Sequence, residues 1–108
     1  MAQIVWTEPA LNDLDAIADY IALDNPEAAK ILVQRVFRHV ELLADYPKSG
    51  SKPPEVKSWR YRQSIEAPCR VFYRQERTRV YIIYVMRGER LLRSGVLIKR
   101  NRRLREKA

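Results

Sequence analysis

Apolar residues in the first half of the chain recur at spacings of three and four, the period of an amphipathic helix. Two such stripes are separated by a break near residues 23–26. The stripes consist of Leu11, Leu14, Ile17, Ala18 and Ile21, and of Ala29, Leu32, Val33, Val36, Phe37, Val40 and Leu43. Because few residues join them, the two predicted helices must lie antiparallel as a hairpin, and their stripes need cover from another layer.

Local signals mark where each helix begins. Residues 3–6 read as a short apolar strand, after which Thr7 can cap the first helix and Pro9 fits its first turn. Asp24 or Asn25 can cap the second helix, which is expected to run from about residue 26 to about residue 45. The expected order is therefore strand, helix, helix.

The pattern changes in the second half of the chain. Aromatic and β-branched residues dominate residues 58–90, and breaks at Ala67-Pro68 and at residues 76–78 cut this stretch into three strand-length segments. In the first segment, alternating positions place rings and guanidinium groups on opposite faces; they are Trp59, Tyr61 and Ile65 against Arg60, Arg62, Ser64 and Glu66. In the third, residues 80–86 are apolar on both faces, as expected of a central strand. The pattern predicts an antiparallel meander with arginines at its surface and ends.

Together these elements predict an α+β fold in the order β-α-α-β-β-β, with the helical hairpin packed on a mainly antiparallel sheet. We assign residues 1–98 to a single domain. Residues 99–107 carry six basic residues and one acidic residue. Since like charges at this density repel, we expect residues 99–108 to form a flexible basic tail, or one that orders on a partner.

Charge is divided unevenly along the 108 residues, whose formal net charge is +8. Residues 1–47 contain three basic and eight acidic residues, a net charge of −5. Residues 48–108 contain eighteen basic and five acidic residues, a net charge of +13. Only the second half can therefore attract a nucleic acid or an acidic protein surface.

Several kinds of chemistry find no support in the sequence. The single Cys69 cannot form an internal disulfide, and the single His39 has no nearby cysteine, so we expect structural or surface roles for both and no metal site. The three glycines form no phosphate-binding loop, so we expect no cofactor. No apolar run approaches the ~20 residues needed to span a bilayer, and we expect a cytoplasmic protein without a membrane partner.

The remaining candidate for a functional site is a set of arginines and an aromatic residue in the meander: Arg60, Arg62, Arg70, Tyr73, Arg74, Arg87 and Arg90. Guanidinium forks beside exposed rings suit phosphates, bases or a carboxylate-rich protein surface equally well. The set therefore indicates an anionic partner without indicating a reaction. The simpler alternative is that these are ordinary outward-facing strand residues.

Four segments in this order resemble the ParE/RelE toxin superfamily. They are Asn25-Pro26-Glu27-Ala28-Ala29 at the start of the second helix, residues 42–47 (Leu-Leu-Ala-Asp-Tyr-Pro), residues 69–74 (Cys-Arg-Val-Phe-Tyr-Arg) and residues 84–90 (Tyr-Val-Met-Arg-Gly-Glu-Arg). The resemblance covers roughly residues 3–93. It implies the toxin of a bacterial type II toxin–antitoxin system in a hetero-oligomer with its cognate antitoxin, one segment of which wraps the toxin.

The superfamily has two branches with different targets. RelE-like members cut messenger RNA on the ribosome, whereas ParE-like members inhibit DNA gyrase. Arg70 matches an arginine of the RelE-like active site, but Gly88 and Ser94 stand where that branch has a catalytic arginine and a tyrosine. A shifted register recruits Arg87 or Arg90 and restores no tyrosine.

These departures favour the ParE-like branch, and physical chemistry favours it too. Cleavage through a 2′-hydroxyl needs a base and an acid, and arginine is a poor proton shuttle because its pKa lies above ~12. Glu89 is a possible base, and Tyr61 or Tyr73 a possible acid. We therefore expect a toxin that inhibits gyrase by binding. The alternatives are an RNA-cleaving enzyme that uses Arg70, Arg87, Arg90, Glu89 and Tyr73, and a non-toxic or degenerate binding module.

Overall fold

The computed structural model describes residues 1–58, 60–88 and 94–107. Its order of elements is β1 (Gln3–Trp6), α1 (Glu8–Ala22), α2 (Pro26–Glu41), β2 (Tyr61–Glu66), β3 (Cys69–Glu76), β4 (Arg79–Arg87) and α3 (Ser94–Lys107). A single 3₁₀ turn, Leu42–Ala44, extends α2. The predicted α+β order is confirmed, and one helix follows it.

Both helices of the hairpin begin at a side-chain cap. The Thr7 hydroxyl accepts a hydrogen bond from the Ala10 amide, and it donates one to the Ile82 carbonyl at 2.7 Å. The Asn25 side chain accepts from the Ala28 amide at 3.1 Å, so Asn25 and not Asp24 caps α2. These bonds satisfy amide hydrogens that the first turn of a helix leaves without a partner.

The sheet has the order β1-β4-β3-β2 and is antiparallel except that β1 runs parallel to β4. The predicted meander is confirmed, and β4 is a central strand. Its pairing with β3 shifts between Phe72 and Tyr73, whose partners are Tyr84 and Ile82. The shift leaves Ile83 as an extra residue, so that the consecutive residues Ile83 and Tyr84 pack in the same core.

Each face of the sheet is covered by its own layer of helix. On the hairpin side, α1 and α2 pack on a core that includes Leu14, Val36 and Ile82. On the opposite side, which we call the α3 side, Leu97 of α3 packs with a smaller cluster that includes Phe72 and Ile83. This second cover explains why β4 is apolar on both faces.

The C-terminal residues differ most from the expectation. Instead of a flexible tail beyond residue 98, the chain forms α3, and the expected boundary falls inside that helix. Leu97 is fully buried and Asn101 is 4 % exposed, so a periodic inner face anchors the helix on the sheet. The high charge of this segment hides this weak periodicity in the sequence.

Three residues of the predicted apolar faces lie at the periphery. Leu11 and Phe37 are each 37 % exposed although they belong to the predicted helical stripes. Ile65 is 57 % exposed, whereas its neighbour Ser64 is buried under α2. Ile65 lies near the end of the outermost strand, where a period of two predicts the face of a side chain but not whether a layer covers it.

Within the described ranges, no helix is long and apolar enough to cross a membrane. In the same part of the chain, no group of three His, Cys, Asp or Glu side chains is placed to hold a metal ion.

Candidate functional site

Arg70 lies on the α3 side of the sheet and is only 8 % exposed. Its two terminal nitrogens donate to the two carboxylate oxygens of Glu55, each at 2.8 Å. Its Nε and Nη2 also donate to the Gln63 side-chain oxygen at 3.0 and 2.7 Å, and its guanidinium stacks 4.9 Å from the centre of the Phe72 ring. These contacts tie the loop before β2 to the middle of the sheet, as a bidentate arginine fork does well.

The other arginines of the set are distributed over different environments. Arg74 shares the face of Arg70, is 6 % exposed, pairs with Glu76 and stacks on Tyr81 at 5.0 Å. The expectation that Arg70 and Arg74 lie at the surface is therefore wrong, because acidic side chains and rings allow their burial.

The arginines of the first strand segment lie elsewhere. Arg62 is half-buried on the hairpin side and donates to the Gly50 carbonyl at 2.9 Å. Arg60 is exposed just before β2. Trp59, Glu89 and Arg90 lie outside the described residues.

Tyr73 is fully buried on the hairpin side. Its hydroxyl donates to the Pro47 carbonyl at 2.8 Å and accepts from the Gly50 amide at 3.0 Å. Burial raises the pKa of Tyr73 above its ordinary value of 10.0, although the Gly50 amide and the charge of Arg62 oppose the shift. A Cβ at Gly50 would lie 2.5 Å from this hydroxyl, so the loop requires glycine there. Tyr73 thus holds a loop and does not face solvent.

Arg87 borders a groove in the described part of the molecule. The groove has a volume of about 370 Å³ and lies between α1 and β4, where it is lined by Asp13, Ala16, Ile17, Tyr20, Val85, Met86 and Arg87. The Arg87 guanidinium stands 5.4 Å from the centre of the Tyr20 ring, which is 63 % exposed. Arg87 and Tyr20 therefore place a charged group beside a ring at the border of this groove, a combination that suits recognition.

Among the described residues, the edge of β4 beside this groove has no strand partner, because β1 pairs only with Arg79–Ile82. Asp13 of α1 accepts the Val85 amide at 3.1 Å, and Arg100 of α3 donates to the Ile83 carbonyl at 3.2 Å. These two side chains also pair with each other, at 2.5 and 3.0 Å. Side chains from α1 and α3 thus satisfy backbone groups that an edge otherwise leaves to water.

A second polar network connects α2 to β2. His39 Nε2 lies 2.6 Å from the Ser64 hydroxyl, and His39 Nδ1 lies 3.2 Å from Glu66, which also pairs with Arg35. Serine, imidazole and carboxylate stand in the order that a hydrolytic triad uses. Ser64 is 8 % exposed, however, and the adjoining groove is lined by Arg35, Arg38, His39, Leu42 and Glu66. We interpret the network as a structural connection, in keeping with the structural role expected for His39.

Sequence reasoning missed the side chains that position two of the arginines described above. Glu55 and Gln63 orient Arg70, and Asp13 orients Arg100. The candidate set does not include Tyr20, although a ring that follows Asp15 and Asp19 on a predicted helix is a usable signal. The acidic partners gave no such signal, because Asp13 and Arg100 are 87 positions apart in the chain.

Comparisons with known proteins agree with this fold. Residues 4–92 match the family model of the ParE toxin of the type II toxin–antitoxin system parDE. The chain is 42 % identical over 84 residues to the putative toxin Y4kP of Sinorhizobium fredii, covering 78 % of this chain and 85 % of that protein. It is 48 % identical over 50 residues to toxin RelE2 of Caulobacter vibrioides, covering 46 % of this chain and 57 % of that protein.

A solved structure gives the same result in three dimensions. The chain superimposes on a chain of the chromosomal ParDE toxin–antitoxin system from P. aeruginosa with a TM-score of 0.68 and 29 % sequence identity. The match covers 82 % of this chain and 98 % of the other. By fold, by family model and by relatives, the chain belongs to the ParE family of toxins of type II toxin–antitoxin systems.

Proposed function

We propose that this toxin inhibits DNA gyrase by binding to it in the cytoplasm, without chemical turnover, and that a cognate antitoxin neutralises it. The observation that carries the proposal is the position of Arg70 and Tyr73. Both would belong to the machinery of an RNA-cleaving toxin, and both are occupied in structural contacts. Inhibition by binding needs neither of them free.

The burial of Tyr73 weighs directly against a nuclease. A general acid must come within hydrogen-bond reach of the leaving oxygen. The Tyr73 hydroxyl instead donates its proton to the Pro47 carbonyl and is fully buried on the hairpin side. Arg70 lies on the opposite side of the sheet, so the two groups do not converge on one substrate atom.

We propose that recognition uses the accessible members of the set together with Tyr20, and the strand register places Arg87 and Arg60 toward opposite ends of the sheet. Arg87 and Tyr20 border the groove between α1 and β4, and Arg60 is exposed before β2. Buried Arg70 and Arg74 support this surface from within the sheet. An arginine beside an exposed ring is the type of anchor on which protein interfaces depend most.

The antitoxin is expected to present an acidic, amphipathic segment. Residues 48–108 carry a net charge of +13, which steers an acidic partner toward this half of the toxin. The likeness to a chain of a ParDE system supports such a toxin–antitoxin complex. Co-expression of the toxin with the product of an adjacent gene should rescue growth and yield a complex that co-purifies.

The gyrase proposal predicts a specific pattern of inhibition by the purified free toxin. Adding the toxin to gyrase, relaxed plasmid and ATP should block supercoiling or trap cleaved DNA. The double variant R60A/R87A should lose inhibition at least tenfold, whereas K30A/R38A on the exposed surface of α2 should inhibit like the parent.

A parallel assay with ribosomes and messenger RNA tests the alternative. We expect intact messages after primer extension. Codon-phased cleavage that disappears in Arg70→Ala would overturn the gyrase proposal in favour of a nuclease, and absence of both effects would point to a binding module without toxicity.

A further inference from the structure

Helix α3 presents two chemically different faces, because it is docked on the sheet in one orientation. Leu97 is fully buried in the core of the α3 side, and Asn101, one turn later, is 4 % exposed. Arg100 stacks on Tyr84 at 4.4 Å and pairs with Asp13. Contacts along one side therefore determine which residues α3 turns outward.

The outward face of α3 carries three exposed cations, Lys99, Arg102 and Arg103. Their spacing places them as neighbours on one helical face, with Cβ atoms of adjacent pairs about 5–6 Å apart. In the described part of the chain none of the three forms an ion pair, whereas inward Arg100 is paired on two oxygens of Asp13. The helix thus neutralises its inner cation and leaves its outer ones to solvent or a partner.

This arrangement has a cost that calls for an explanation. Like charges four residues apart, such as Lys99 and Arg103, repel each other and destabilise a helix. A fixed row of cations suits a polyanion with regularly repeated charges, because each contact releases a condensed counterion. A peptide ligand would also need apolar anchors in a groove, and the grooves described above are lined by residues outside α3.

We propose that the outward face of α3 binds the phosphate backbone of double-stranded nucleic acid without sequence specificity, through Lys99, Arg102 and Arg103. This activity belongs to the free toxin and does not depend on gyrase inhibition. DNA and RNA duplexes offer the same phosphates and differ in groove shape and in the 2′-hydroxyl. Comparing them identifies which duplex the toxin prefers.

The test is fluorescence anisotropy with labelled 20-base-pair duplexes of DNA and of RNA and no gyrase present, titrated from 50 to 200 mM KCl. The parent toxin should bind with an affinity that falls steeply with salt. In the triple variant K99Q/R102Q/R103Q, the slope of log K against log salt for DNA should decrease in magnitude by about 2.7, because each lost phosphate contact removes about 0.9. Affinity at 50 mM should fall at least tenfold.

A matched control distinguishes the effect of the outward face of α3 from the effect of lowering the net charge. The variant K30Q/R38Q/K48Q removes the same number of charges from exposed positions on α2 and the loop after it. This control variant should keep most of the parent's slope of log K against log salt. Equal losses in the two variants would overturn the proposal, as would an absence of binding by the parent at 50 mM. Circular dichroism should show native helix content in both variants, since none of these side chains is buried.

A competition experiment tests whether an acidic protein, and not a nucleic acid, occupies the outward face of α3. Poly-glutamate should displace the duplex only at a much higher concentration of charge than unlabelled duplex. Displacement at equal charge would assign the face to an acidic protein and overturn the inference. If the toxin binds the duplex but does not inhibit gyrase, the proposed function is wrong and the inference about α3 stands.

Discussion

Tyr73 connects the loop after the helical hairpin to the centre of the sheet. Its hydroxyl bonds two backbone groups of that loop, the Pro47 carbonyl and the Gly50 amide. The Tyr73 ring that carries this hydroxyl is fully buried. The residue that a nuclease mechanism would claim as an acid is therefore a structural tie.

Replacing Tyr73 by Phe tests this role. The change removes both hydrogen bonds and leaves the loop groups unpaired in a partly buried site, so unfolding free energy should fall by about 1–3 kcal/mol. Urea denaturation measures the loss. Gyrase inhibition per folded molecule should remain, because Tyr73 lies away from the proposed recognition surface; loss of inhibition without loss of stability would contradict the assignment.

The pH dependence of the same variant has a defined sign. Burial raises the pKa of Tyr73 in the folded state above 10.0, so the unfolded chain loses this proton first as pH rises. The stabilising effect of burying the neutral hydroxyl is complete below pH 10 and is lost as pH rises through the folded-state pKa. The stability difference between the parent and Y73F should be constant from pH 7 to 9 and should shrink above pH 10.

At the scale of elements, α3 and α1 are joined around the edge of β4 by Arg100 and Asp13. The pair is partly buried, with side-chain exposures of 22 % and 17 %. Asp13 also accepts the Val85 amide, and Arg100 donates to the Ile83 carbonyl. One ion pair therefore docks a helix and satisfies an unpaired strand edge.

Asp13→Asn should loosen α3 while leaving the hairpin folded. Removing the carboxylate charge leaves Arg100 without its ionic partner, which costs about 1–3 kcal/mol for a partly buried pair. Amide hydrogen exchange in α3 should accelerate about tenfold for each 1.4 kcal/mol lost. Asp15→Asn, an exposed position on α1, serves as the control and should not change exchange. Uniform acceleration across α1 and α2 would indicate global destabilisation instead.

At the scale of the whole molecule, the sheet needs cover on both faces. The hairpin covers one core, and α3 covers Phe72, Ile83 and Met86 on the other. The charged C-terminal segment is thus part of the folded structure. It combines an apolar inner face with a cationic outer one, which is how a helix with many basic residues contributes to a core.

Deleting residues 94–108, which removes Leu97 with the rest of α3, should expose the α3 side of the sheet. A loss of about 2 kcal/mol of apolar burial would lower the melting temperature by roughly 8–16 °C. A hydrophobic dye should bind the truncated chain. The triple variant K99Q/R102Q/R103Q removes outward charges but keeps the apolar face of α3 that covers the sheet. It should therefore keep the parent melting temperature. Unchanged melting and no dye binding after truncation would show that α3 does not stabilise the sheet.

Local chemistry made much of this fold predictable. The helix caps at Thr7 and Asn25, the two apolar stripes and the break at Ala67-Pro68 act through neighbours within a few residues, so they can be read from sequence. The continuous apolar run of β4 indicated a strand covered on both faces, although the identity of the second cover was missed. The motif resemblance led to the ParE family, which the comparisons confirm.

Only the tertiary structure decided which arginines are exposed. Arg70 and Arg60 look alike in sequence, yet Arg70 is buried because Glu55 and Gln63 receive its guanidinium. Likewise α3 forms where charge density suggested a flexible tail, because Asp13, 87 positions away from Arg100, lies beside it in the fold. Periodicity and capping depend on nearby residues, whereas burial of a charge depends on partners that only folding brings together.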